Sequence, residues 1–245
     1  MSQADWKDLT GTALDTGSIR RGVSSAFVVP NGGSTFIYGL RALVSTTGAG
    51  GKYCDLADFK PIVGAKKGGS VSVAMKRLTS GITYAPFIGL LKGTDPATAI
   101  GYYLGLTQET SYKIGLFKGT PATGLSASAA NLLPGRSSTA TYTDVGDTAA
   151  AWHHLRLDVL SNPHGEVVLN VYKNNLDAVT GNPVTAPVWE AIPGISQFID
   201  DPLGFWSGSA PHEDGFYVVY GMYTNNGAGE ACAFDHVVVQ RQITP

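Results

Sequence analysis

Charge is scarce in this sequence. Charged residues make up 15% of 245, against roughly 25% in an average soluble protein, which excludes a charged helical architecture. The 17 Lys and Arg nearly balance the 19 Asp and Glu. The basic residues are scattered, with only Arg20-Arg21, Lys66-Lys67 and Lys76-Arg77 adjacent. A nucleic-acid groove needs a basic stripe interleaved with aromatics, so no nucleic-acid partner is expected. Cysteine is nearly missing too. Cys54 and Cys232 stand far apart and outside any CxxC or Cys/His cluster, so zinc is not expected. They read as two buried thiols before a long-range disulfide, which fits a chain made in a cytoplasm.

Long apolar runs are absent as well. No window approaches 18 consecutive apolar residues, so no membrane-spanning helix is expected. The start, Met1-Ser2-Gln3-Ala4-Asp5-Trp6, is polar and lacks the apolar core of a signal peptide. No Asn-x-Ser/Thr acceptor occurs. What is abundant is glycine, 31 residues, with 13 prolines and 43% hydrophobic residues. That is the profile of many short strands joined by turns. At this length the chain is expected to bury about 70% or more of its unfolded surface, so folding needs no metal or disulfide.

Periodicity supports the same reading. Val71, Val73 and Met75 alternate with Ser70, Ser72, Ala74 and Lys76, as a strand with one buried face requires. Leu155, Leu157 and Val159 alternate with His154, Arg156 and Asp158. Val167, Leu169 and Val171 follow the turn Asn162-Pro163-His164-Gly165, so the two runs predict a hairpin. The run from Phe216 to Tyr223 is apolar on both sides and belongs in the middle of a sheet. Further strands are expected at 36–44, 86–91, 102–106, 112–117 and 234–241. Helix is limited to a turn near Asn131-Leu132-Leu133 or at Ile195 to Asp200. Residues 1–22 read as a polar arm or a first edge strand, ahead of one domain over 23–245. Gly119 to Ala151, rich in small residues, reads as a long loop or flat edge strands.

Three segments carry a resemblance. Ala151-Trp152-His153-His154-Leu155-Arg156-Leu157-Asp158-Val159 is similar to a "W-H-x-L-R-x-D-V" strand. Glu166 to Asn174 is similar to the strand that follows it. Ala233-Phe234-Asp235-His236-Val237-Val238-Val239-Gln240-Arg241 is similar to a closing "F-D-x-V-x-V-x-R" strand. In order and spacing they resemble the concanavalin A-like and laminin-G-like superfamily, over about a third of the chain. The resemblance implies an all-β, two-sheet antiparallel jelly-roll sandwich with little helix. In style, a cysteine-poor, Gly/Ser/Thr/Ala-rich β chain with a polar arm, the sequence also resembles tailed-bacteriophage virion structural proteins.

That superfamily includes glycoside hydrolases and lyases, which tests the chain for catalysis. Retaining hydrolases need two carboxyls about 5 Å apart, and laminarinase-type members carry Glu-x-Asp-x-x-Glu. Here Glu109, Glu166, Glu190, Glu213 and Glu230 have no Asp two positions later. Asp200-Asp201 and Glu213-Asp214 are adjacent, and adjacent strand residues point to opposite faces. His153-His154 puts one ring on each face and reads as packed or hydrogen-bonded. No metal spacing, nucleophile elbow or phosphate loop occurs. No enzyme activity and no cofactor are expected.

The best binding loop is Phe205 to Gly215, where Trp206 joins His212, Glu213 and Asp214, the mixture that stacks on and hydrogen-bonds to sugars. Calcium there would draw on Asp200, Asp201 or Asp214. The bland alternative is a core tryptophan beside an ordinary turn. Two functions follow. The first is a non-enzymatic structural protein of a phage tail, baseplate or capsid decoration, binding other virion proteins and copies of itself. The second is a lectin-like module that recognises a glycan.

Overall fold

The computed structural model describes residues 6–8, 19–22, 39–44, 48–55, 67–77, 84–91, 101–106, 113–119, 132–137, 152–161, 164–175, 186–201, 203, 217–224 and 230–243. All regular structure among them is strand. In chain order these are β1 (Trp6–Asp8), β2 (Ile19–Gly22), β3 (Gly39–Val44), β4 (Gly48–Asp55) and β5 (Lys67–Arg77). Next come β6 (Tyr84–Leu91), β7 (Gly101–Leu106), β8 (Ile114–Gly119), β9 (Leu132–Ser137) and β10 (His153–Ser161). The last are β11 (Val167–Asn174), β12 (Trp189–Ala191), β13 (Gln197–Asp200), β14 (Tyr217–Thr224) and β15 (Glu230–Ile243).

They form two antiparallel sheets. One has seven strands in the order β1-β4-β14-β6-β7-β8-β9; the other has eight, β12-β11-β10-β5-β15-β3-β2, with β13 also paired to β11. The chain passes repeatedly from one sheet to the other, giving a two-sheet jelly-roll sandwich. β14, apolar on both sides in sequence, lies inside its sheet between β4 and β6. The 1–22 stretch contributes β1 at the edge of one sheet and β2 at the edge of the other.

Alternation explains the core. Val71, Val73 and Met75 of β5, Leu155, Leu157 and Val159 of β10, and Val167, Leu169 and Val171 of β11 all face inward. Against them the seven-stranded sheet sets Ile88, Leu90, Leu104, Leu106, Ile114 and Leu116. Each such side chain contributes about 1.5–3 kcal/mol on burial. The predicted hairpin joins β10 to β11, with Ser161 opposite Val167. Gly165 holds φ at 77° in the connection, a conformation that favours glycine.

Two expected helical turns are strands instead. Leu132 and Leu133 open β9, which pairs with β8 at the end of the seven-stranded sheet. Ile195, Phe198 and Ile199 imitate helical spacing, but Ile195 belongs to a turn and the other two to β13. That turn, between β12 and β13, sits opposite a single residue of β11. Val171 N–H donates to the Ser196 carbonyl at 3.2 Å, and its carbonyl accepts from Ile192 N–H at 3.3 Å. Ile192 and Ile195 then plug the core. An interrupted edge of this kind is a poor template for another strand.

Alternation gave β5 and β10 one buried face, and part of their other face is buried as well. Ser70, Ser72, Lys76, His154 and Asp158 are buried on the face of the eight-stranded sheet opposite the core. On the other sheet Phe87, Tyr103 and Phe117 form a buried aromatic layer outside the core, Phe87 and Tyr103 meeting edge to face at 5.6 Å.

Candidate functional site

The sequence-predicted loop, Trp206, His212, Glu213 and Asp214, lies outside the described residues. Of the proposed calcium donors, Asp200 is already committed. Its Oδ2 accepts the Tyr102 hydroxyl at 2.6 Å and pairs with Lys118 Nζ at 2.7 Å. Tyr102 and Lys118 are register partners on β7 and β8, while Asp200 ends β13 in the other sheet. The three therefore clamp sheet to sheet in a buried position. Burial outweighs the attraction of Asp200 and holds the Lys118 ammonium below its ordinary 10.5. Asp201 also attracts the Lys118 ammonium, and its Oδ1 accepts Leu203 N–H at 2.8 Å. Among the described residues, no group of three His, Cys, Asp or Glu can hold a metal.

The chemistry that remains sits on the outer face of the eight-stranded sheet, toward β11, β12 and β13. Register builds it in cross-strand rows. The first row runs His154, Asn174, Trp189. Asn174 Oδ1 accepts Val188 N–H at 3.0 Å, which turns its amide nitrogen toward His154 Nδ1 at 3.1 Å. Nδ1 is therefore the acceptor, and the neutral ring carries its proton on Nε2. Trp189 meets the same ring edge-on at 4.8 Å.

The second row is Arg156, Tyr172, Ala191. Arg156 reaches Asp158 through two hydrogen bonds, 2.6 and 2.9 Å long. Its guanidinium carbon lies 5.7 Å from the centre of Tyr172 and 5.8 Å from that of Trp189. The planar cation is thus held between two rings. Burial, with Asp158 nearby, pushes the Tyr172 phenol up from its ordinary 10.0. Asp158, Asn170 and Gln197 make the third row, with Gln197 Nε2 donating to Asn170 Oδ1 at 3.3 Å.

The fourth row is apolar: Leu160, Val168, Ile199. Leu160 and Val168 are half-buried and Ile199 is 42% exposed. Leu203, four residues further, is 91% exposed, and Val188 beside the Trp189 row is 58% exposed. Sequence alternation places these residues outward but says nothing of how much water each one sees. On the inner side of this edge Lys173 and Glu190 pair at 3.7 Å.

This defines the class: a jelly-roll β-sandwich whose eight-stranded sheet carries an Arg156–Asp158 ion pair beside apolar residues on its outer face. No family model matches the sequence, and no curated protein matches it. Solved structures are similar in shape. Cellulose induced protein, Cip1, shares 12% identity over 98% of this chain and 92% of that one, at a TM-score of 0.48. A lectin from Bauhinia forficata in complex with GalNAc shares 9% over 100% and 95%, at 0.47. The xylan beta-1,4-xylosidase from Bacillus halodurans C-125 shares 10% over 82% of this chain, at 0.45, and this chain spans 32% of its length. At these identities and scores the likenesses decide nothing about ligand or chemistry. No helix among the described residues is long and apolar enough to cross a membrane.

Proposed function

We propose that this chain is a non-catalytic interaction protein that assembles with copies of itself through the outer face of β10, β11 and β13. The observation that carries the reading is the row Leu160, Val168, Ile199, continued by exposed Leu203. Large exposed apolar side chains in one line mark a contact surface. The amide row Asn170–Gln197 beside it supplies a polar margin of the sort that surrounds an interface core. The charges of these strands on this face are paired within it, Arg156 with Asp158. A second copy of the same face meets no net charge of its own sign, which suits an isologous contact.

Absence of catalysis belongs to this reading. Asp158 and Asp200 are committed to ion pairs inside the fold, with Arg156 and Lys118. Light scattering across a dilution series tests the assembly, and hydrolase and lyase assays on common polysaccharides test the lack of turnover. Placement in a tailed-phage particle rests on sequence style, and capsid or tail genes beside this one would support it.

One observation favours a glycan-binding reading. Half-buried Tyr172 and Trp189 lie next to Asn170 and Gln197 on a single face, the aromatic and amide groups with which sugars are stacked and hydrogen-bonded. A glycan array run with the wild type, Trp189→Ala and Trp206→Ala tests it. A specific signal lost in either variant supports sugar recognition at that residue.

A further inference from the structure

Toward the far end of the same sheet face, β5 and β10 bring a square of four residues together. His153 pairs with Met75 and His154 with Ala74. Trp152, immediately before β10, continues this line to the level of Lys76, whose Nζ lies 5.9 Å from the indole centre. Three corners therefore hold hydrogen-bond donors: the Lys76 ammonium, the Trp152 indole N–H and the His154 ring, whose tautomer puts a proton on Nε2. The fourth corner, Ala74, occupies the least room.

Two of these donors are short of acceptors. Trp152 is 2% exposed, and its Nε1 has no hydrogen-bond partner among the described residues. A buried donor left in that condition is destabilising, because it has given up its bond to water. Lys76 is 9% exposed, and among the described residues its ammonium meets the Trp152 ring rather than a carboxylate. Desolvation lowers its pKa from 10.5. A buried cation of this kind beside an unanswered N–H is an arrangement completed by an anion.

We infer that Lys76, Trp152 and His154 form a receptor for an oxyanion, the carboxylate or sulfate group of a small ligand. The anion accepts from the ammonium and the indole N–H together and returns Lys76 toward its ordinary affinity for protons. The inference is independent of the proposed self-assembly through the Leu160, Val168, Ile199 row, so the Ile199→Lys change leaves it intact.

The test is a proton–nitrogen spectrum of the indole groups. The chain has four tryptophans, and the Trp152 signal is the one missing from Trp152→Phe. Sodium sulfate, sodium acetate and sodium glucuronate are titrated at constant ionic strength. The expected result is a saturable downfield movement of the Trp152 indole proton that Lys76→Met abolishes. A response to sulfate or acetate alone identifies a free small anion, and a tighter response to glucuronate identifies an acidic sugar. No saturable movement with any probe, or movement that persists in Lys76→Met, overturns the inference. Asp235, the register partner of Ala74 on β15, supplies a control. A response that appears only in Asp235→Asn also overturns the inference, because the ammonium then already has its carboxylate. If Trp152→Phe fails to fold, the indole signal that responds in the wild type and not in Lys76→Met serves in its place.

Discussion

Asp200 shows how much a single carboxylate can carry. It takes a hydroxyl from β7 and an ammonium from β8 on one oxygen while standing in the opposite sheet. Breaking a buried pair by removing one partner costs about 3–5 kcal/mol, because the other charge stays buried. Asp200→Asn is expected to lose about 3 kcal/mol or more in urea unfolding, and adding Lys118→Met is expected to recover part of it. Full additivity of the two changes would contradict the clamp. Sequence spacing gave no sign of it: Tyr102 and Asp200 are 98 positions apart, and only the three-dimensional pairing of β7, β8 and β13 brings them together.

Tyr103 sets a pH dependence. Burial raises its phenol well above the ordinary 10.0. Above about pH 10 the unfolded chain therefore sheds a proton that the folded chain keeps, and stability falls as pH rises through that window. Lys118 acts in the opposite sense, because its lowered pKa makes the unfolded chain the better proton binder below 10.5. Thermal unfolding from about pH 9 to 11 is expected to show a flatter alkaline decline in Tyr103→Phe than in the wild type. An identical decline in both would contradict this role.

At the scale of elements, two glycines shape the seven-stranded sheet. A Cβ on Gly105 would stand 2.5 Å from the Pro86 carbonyl oxygen and 2.9 Å from Phe87 Cα. On Gly89 it would meet the Tyr103 ring at 2.7 Å and the Tyr102 carbonyl oxygen at 2.8 Å. The aromatic layer of Phe87 and Tyr103 lies down only because these cross-strand neighbours have no side chain. Overpacking costs about 1–3 kcal/mol. Gly105→Ala is expected at the upper end, since backbone is in its way, and guanidinium unfolding measures it. A neutral Gly105→Ala would mean that the strands can part without loss.

The same elements show what a sequence discloses. β5, β10 and β11 were legible because their apolar residues fall at every second position and a Pro-Gly turn joins the last two. β13 was not, because Ile195, Phe198 and Ile199 satisfy the helical spacing as well, and only pairing to β11 decides between them. The buried outer residues Ser70, Ser72 and Asp158 were illegible for a related reason. Polar side chains at alternate positions signal a solvent face, and alternation carries no information on what else packs there. Of the candidate surface, His154, Arg156 and Asp158 were visible as the outward side of a strand. Their partners Asn174, Tyr172 and Trp189 come from other strands and depend on register.

For the whole molecule, two sheets close over one apolar core, and the second sheet leaves its β11–β13 side only partly covered. The broken edge at β12 and β13 is a poor template for strand-to-strand growth. Whether that face joins copies of the chain is decided by sedimentation equilibrium of the wild type and Ile199→Lys over a wide concentration range. The wild type is expected to self-associate into a closed oligomer, and Ile199→Lys to stay monomeric with unchanged unfolding. A wild type that remains monomeric at the highest concentration, or a variant that associates equally well, would contradict assembly through this face.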